Sequence, residues 1–350
     1  MGRKILILLV LIFACKKKEV SEDTTLINPI LVEQFTNYKC FPCNGANEIV
    51  DSFQRVYSDK VFVVRYHVNV PYPNDPIYIP YSDSMVNYYN LDLSSGVPIT
   101  IISGGFKDIG YDDTQREDYK QRWLNKMREF SKIEYQYKAN GNVEHFGNSA
   151  NVNITLDKSL SPNHRANIYI TEYDVKLPQG SSKPYSHFAL RSASTGLSAN
   201  FTINESWNKN NLYILFVIRD ENKKVISLWQ GKLPNEILTY YLQNDSILNV
   251  NQNETGKFYL KLKNNTNQVQ RILIDISGVP KTWTPILCFR GVCRNTTTLE
   301  DSILPNYETA DSAFYFGFIP TTSENVIIEM KVSIEGKNLY KTINGRVIVP

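Results

Sequence analysis

Cys40 and Cys43, in the run Val32-Glu33-Gln34-Phe35-Thr36-Asn37-Tyr38-Lys39-Cys40-Phe41-Pro42-Cys43, are the residues of this chain best placed to do chemistry. A C-x-x-C pair either holds zinc or cycles between dithiol and disulfide. Zinc needs two further ligands at suitable spacing. The histidines His67, His145, His164 and His187 are scattered, and the other close cysteine pair, Cys288 and Cys293, falls in a different predicted domain. No metal and no other cofactor is therefore expected. The pair follows a strand signal and opens an amphipathic helix, so Cys40 stands near a helix N-terminus, where unpaired N–H groups and the macrodipole stabilise a thiolate. Lys39 adds a positive charge. On this reading Cys40 is the exposed nucleophile and Cys43 the buried resolving thiol. Pro42 fits the first helical turn, where its missing N–H costs nothing.

The elements that must position the pair alternate between strand and helix. Ile30-Leu31-Val32 leads through Phe35 as a first strand. Ala46, Ile49, Val50, Phe53, Val56 and Tyr57 recur at helical spacing. Val61 to Val68 is nearly continuous and β-branched, as in a strand covered on both faces. A proline-rich loop (Pro71, Pro73, Pro76, Pro80) follows, with a short helix over 84–89 and a strand over 99–102. Thr114-x-x-Glu117 is a capping box for a helix carrying Tyr119, Trp123, Met127 and Phe130. After residue 133 the pattern is β only: strands over 151–156 and 166–171, a hairpin joining 212–218 to 225–229, and one short helix in an Asn-rich linker over 234–251. Alternating strands over 258–262, 272–276 and 328–334 complete the chain as a sandwich. The expected division is 28–133 as an α/β domain, 134–245 as a β-rich domain and 246–350 as a C-terminal β-sandwich.

The N-terminus reads as a targeting segment. Met1-Gly2-Arg3-Lys4 is followed by the apolar run Ile5 to Ala14, which at about ten residues is too short to span a bilayer and fits the core of a signal peptide. Ile12-Phe13-Ala14-Cys15 resembles a lipobox, which implies a signal peptide over 1–14, lipidation of Cys15, and a polar tether over 15–27. The chain has five cysteines. Lipidation removes the odd one and leaves two close pairs, as suits an oxidising compartment. Cys288 to Cys293, with Gly291 available for the turn, reads as a local structural disulfide across a hairpin.

Ser95-Gly96-Val97-Pro98-Ile99 lies ahead of the strand over 99–102. Together with the dithiol and the order of elements, it resembles the thioredoxin superfamily, whose cis-proline loop packs against the C-x-x-C. The resemblance implies that Pro98 is that proline, that Val97 pairs with a substrate backbone, and that Phe41 greases the docking surface in place of a glycine. It also implies a buried acid in the strand before the motif. Glu33 is the nearest candidate, one residue further from the cysteine than that family's pattern. The chain is more closely similar to the outer membrane protein 28 family of thioredoxin-like lipoproteins, through Glu33-Gln34-Phe35-Thr36 and Cys40-Phe41-Pro42-Cys43. The implied fold class is an α/β thioredoxin-like domain followed by all-β sandwich-like domains. The implied setting is the Gram-negative cell envelope, with the protein anchored by lipid at the outer membrane or cell surface.

Net charge is +3 and includes the run Lys16-Lys17-Lys18, so no basic face points to nucleic acid. P-loop, dinucleotide, H-E-x-x-H and G-x-S-x-G motifs are absent, which leaves nucleotide-dependent and hydrolytic chemistry without support. The expected partners are a membrane, through lipid on Cys15, and either protein disulfide substrates or surface ligands. The first choice describes a tethered thiol–disulfide oxidoreductase. The second describes an adhesion or binding lipoprotein in which the thioredoxin fold is an inert scaffold and Cys40–Cys43 a stable disulfide. An exposed Cys40 favours exchange and a covered one favours the scaffold.

Overall fold

The computed structural model describes residues 25–350. The expected signal segment, Cys15 and all but the last residues of the expected tether lie outside the described residues. The chain is mostly β-sheet. Its first part runs β1 (Ile30–Thr36), α1 (Phe41–Val56), β2 (Val61–His67), α2 (Tyr81–Tyr89), β3 (Ile99–Ile102), β4 (Phe106–Ile109) and α3 (Arg116–Ser131). The β-only part follows with β5 (Ala139–Phe146), β6 (Ser149–Leu156), β7 (Arg165–Glu172), β8 (Val175–Lys176), β9 (Tyr185–Ser186), β10 (Ala189–Thr195), β11 (Ser198–Thr202), β12 (Leu212–Arg219) and β13 (Val225–Lys232).

One mixed sheet is ordered β13-β12-β7-β10-β2-β1-β3-β4. β1 is parallel to β2 and antiparallel to β3. The sheet crosses residue 133, where the change of pattern pointed to a domain boundary: β10 lies beside β2 and brings β7, β12 and β13 with it. Hydropathy periodicity reports which face of a strand is buried and carries no information about its neighbour.

Every residue of β1 is buried, because both faces of the strand are covered. Ile30 and Val32 pack with Ala46, Ile49, Val50 and Phe53 of α1 and with Trp123 and Met127 of α3. Leu31 and Phe35 point the other way, into a core shared with Met85 and Tyr89 of α2 and Leu215 and Val217 of β12. The sheet curls so that β13 returns towards β3, and the Val225 N–H donates to the Ser103 carbonyl at 3.0 Å. Gly104 makes that return possible: at φ +69° a Cβ would stand 1.8 Å from the Lys223 carbonyl oxygen. The smaller sheet β11-β6-β5 covers Ile168, Ile170, Ile214 and Phe216.

The C-terminal part is a β-sandwich of two five-stranded sheets around one apolar core. One sheet joins β14 (Leu238–Leu242), β16 (Gly256–Asn264), β21 (Tyr315–Ile319), β18 (Thr284–Phe289) and β19 (Val292–Arg294). The other joins β15 (Ile247–Asn249), β23 (Leu339–Ile348), β22 (Asn325–Ile334), β17 (Gln270–Ser277) and β20 (Thr298–Ile303). The short helix expected within 234–251 is absent. Leu238 and Tyr240 alternate inwards with period two as β14, which pairs with β16, so the sandwich begins ahead of residue 246. The capping box at Thr114 is not formed either. Asp112 caps a 3₁₀ turn over Asp113–Gln115 by accepting from the Thr114 N–H, and α3 starts only at Arg116.

Glu33 and Arg219 meet inside the curl at 2.7 Å, both fully buried. Tyr66 and Tyr89 also donate to Glu33, and Arg219 donates to Tyr169. Removing one member of a buried pair strands the other charge, at a cost of about 3–5 kcal/mol. Arg219→Met is therefore expected to lower unfolding stability by about that amount in urea titrations, and Glu33→Gln placed on top of it to recover part of the loss. A loss below about 1 kcal/mol would show that the pair contributes no more than an exposed one.

Candidate functional site

Cys40 and Cys43 form a disulfide with their Cα atoms 5.3 Å apart. Cys40 is the N-cap of α1, and its sulfur accepts the Cys43 backbone N–H at 3.2 Å. The Cys40 sulfur also lies 3.4 Å from the Val97 carbonyl oxygen. The Val97–Pro98 peptide is cis and leads into β3. Thus Cys40, Cys43, Val97 and Pro98 come together. Cys40 was expected to be exposed, but it is 3% exposed, and Cys43 is 1% exposed. The outermost residue here is Phe41, 80% exposed, which forms one wall of a cavity of about 640 Å³ with Pro42, Asn44, Tyr111 and Arg116. Gly45 lets the Tyr111 ring rest on α1, since a Cβ there would stand 2.2 Å from it.

The loop ahead of Cys40 is held from two directions. Asn37 Nδ2 donates to the carbonyls of Val68 and Tyr72 at 2.7 and 2.8 Å. The Tyr38 N–H donates to Asp75 Oδ2 at 2.8 Å. From the far side, the Ser182 N–H and hydroxyl both donate to the Tyr38 carbonyl at 2.9 Å, and Asn44 Nδ2 donates to the Ser182 carbonyl at 2.8 Å. The proline-rich loop and a segment more than a hundred residues downstream thus clasp the dithiol.

Asp75 also holds His67. His67 Nδ1 is 2.8 Å from Asp75 Oδ2, and its Nε2 is 2.8 Å from the Ser186 hydroxyl. Burial pushes the imidazole below its ordinary range against the opposing pull of Asp75. The neutral ring therefore donates from Nδ1 and accepts the Ser186 proton at Nε2. The order Ser–His–Asp is that of a hydrolytic triad, but Ser186 is fully buried and no substrate carbonyl reaches it. The three residues lock the clasp. Sequence reasoning missed them because His67, Asp75 and Ser186 share no motif or spacing.

Glu33 lies between Leu31 and Phe35 on the face of β1 whose core also contains Cys40 and Cys43. It is on the face of β1 away from α1, alternating with Val32, and both its oxygens are engaged by Arg219, Tyr66 and Tyr89. On the α1 side of β1 the buried polar residues are Gln34 and Thr36, and Gln34 accepts from Arg65 Nε at 3.0 Å. Arg65 also pairs with Asp51 at 2.7 Å. Lys183, next to the clasping Ser182, is pushed down to about 7 by burial and by the Arg65 charge. No spacing in the sequence signals that amine.

Cys288 and Cys293 are directly opposed across β18 and β19 and are disulfide-bonded. Arg290 and Gly291 both have positive φ, the backbone that a two-residue hairpin requires. Among the described residues no group of His, Cys, Asp and Glu side chains is arranged to hold a metal ion, and no helix is long and apolar enough to cross a membrane.

No family profile and no curated protein matches the chain. Solved structures to which it is similar include a FixG-related protein from Vibrio parahaemolyticus, at 13% identity over 32% of this chain and 94% of that one, with a TM-score of 0.23. They also include the ASH/PapD-like domain of human CEP192, at 9% identity over 32% of this chain and 83% of that one, with a TM-score of 0.20.

Three histidines set the expected pH response. His67, His145 and His187 are each held below 6.5, burial being the largest cause in every case. As pH falls through about 6.5 the unfolded chain takes up protons that the folded chain refuses, so stability falls. The urea midpoint is expected to drop between pH 7.5 and 5.5, and more shallowly in His67→Gln. A midpoint that stays level over that interval would contradict this.

Proposed function

We propose that the chain is an envelope lipoprotein of the outer membrane protein 28 type, whose residues 28–133 form a thioredoxin-like unit that catalyses thiol–disulfide exchange. The observation that carries the reading is the Cys40 sulfur, at the N-cap of α1 and 3.4 Å from the Val97 carbonyl. A helix N-terminus stabilises a thiolate, and the Val97 backbone beside the sulfur is where an incoming chain would pair. The order β1-α1-β2-α2-β3-β4-α3, with β1 between β2 and β3, further supports it. In the exchange a substrate thiolate attacks the Cys40 sulfur. The S–S bond breaks and Cys43 leaves as a thiolate. A second substrate thiolate then attacks the substrate sulfur of the mixed disulfide, and Cys40 leaves. The reverse sequence reduces a substrate disulfide. Phe41 and the neighbouring cavity are the surface on which substrate docks, and lipid on Cys15 keeps the reaction at a membrane.

One observation favours a second reading. The near-complete burial of both sulfurs suits a permanent staple in a surface-binding lipoprotein. The reduction potential separates the two. Exchange predicts a value between roughly −120 and −270 mV in glutathione buffers, where known catalysts lie, with Cys40 alkylated before Cys43 once reduced. A potential below about −300 mV, with neither thiol labelled, would overturn the exchange reading and leave the staple.

A further inference from the structure

Asn47 lies one helical turn after Cys43 on the buried face of α1 and is 1% exposed. Its Nδ2 makes a long contact of 3.5 Å to Thr36 Oγ1, and its backbone carbonyl accepts from Arg65. Its Oδ1 has no hydrogen-bond partner. Buried side-chain acceptors are nearly always paired, and one left unpaired raises the free energy of the state that contains it. Inverting the amide would exchange an orphan oxygen for an orphan NH₂ and leave the deficit in place.

The state described is the disulfide, in which neither cysteine has a proton to donate. Side chains at i and i+4 of a helix have Cβ atoms about 5–6 Å apart, a separation that an S–H and an amide oxygen can bridge. Resting on the exchange reading above, we propose that Asn47 is a positioning residue that sets the redox poise of the pair: its Oδ1 accepts the Cys43 S–H in the dithiol and is stranded in the disulfide. Reduction consumes two glutathione thiols, breaks the Cys40–Cys43 bond, forms one glutathione disulfide and leaves the two protons on the cysteines. The new hydrogen bond exists only on the product side. Asn47 therefore makes the disulfide a better oxidant than the helix N-terminus alone would.

Asn47→Leu, close in volume, and Asn47→Ala both remove the acceptor. The test equilibrates wild type and both variants in glutathione buffers, quenches with acid and counts alkylated thiols. The expected result is a roughly tenfold shift towards disulfide in each variant, equal to about 30 mV. The infrared S–H band of Cys43, recorded after phosphine reduction, is expected to move to higher frequency. A purely structural role would lower the urea midpoint in both redox states and leave the equilibrium in place. Equilibria within twofold of wild type in both variants, or a shift towards dithiol, would overturn the proposal. A wild-type disulfide that never equilibrates with glutathione sinks the exchange reading itself. In that case the infrared band still decides whether Asn47 holds the Cys43 proton.

Discussion

The buried pair of Glu33 and Arg219 is the interaction on which the rest of this structure depends. β1 leads into the loop that presents Cys40, and both of its faces are covered. Glu33 places a charge in that interior, where desolvation is tolerable only with a partner and further hydrogen bonds. Arg219 supplies the partner from a strand 186 positions later, and Tyr66, Tyr89 and Tyr169 supply the hydrogen bonds. For the guanidinium to arrive, β12 must come over β1, so the sheet has to curl and its two halves must fold as one unit. The strand that positions Cys40 is thus fixed by residues from the β-only half.

The same dependence holds at the surface of the site. Cys40 is presented by a helix N-terminus, a local device, but the loop that aims it is fastened by Asp75 and Ser182. His67 ties those two fastenings together through Asp75 and Ser186. This clasp fixes the loop ahead of the disulfide, whose cysteines are buried in the core with Phe35, Tyr66 and Val97 while Phe41 stays exposed. The result is a site with a prominent apolar edge and almost no accessible sulfur.

The local parts of this arrangement were legible in the sequence. Helical spacing from Ala46 to Phe53, Pro42 in the first turn, the β-branched run of β2, and the Arg290-Gly291 turn between two cysteines all express constraints that act within a few residues. Glu33 was legible as a buried acid but not as Arg219's partner, because an ion pair between distant strands leaves no trace in spacing. The buried Ser–His–Asp lock was invisible for the same reason. The short strands β14 and β15 were missed because five and three residues between asparagine-rich turns carry too little periodicity to read, and only their pairing with β16 and β23 defines them. The exposure expected of Cys40 failed because its sulfur packs in a core assembled from residues far apart in the chain, among them Phe35, Tyr66, Tyr89 and Val97.

The most direct test of the account is to trap the exchange. Replacing Cys43 by serine leaves Cys40 without its resolving thiol, so a disulfide peptide attacked by Cys40 must remain attached. The account predicts a covalent adduct at Cys40 by mass spectrometry in Cys43→Ser, dispersed by dithiothreitol and absent in the Cys40→Ser, Cys43→Ser double variant. A folded Cys43→Ser protein that forms no adduct would contradict it and leave the Cys40–Cys43 bond as a structural staple.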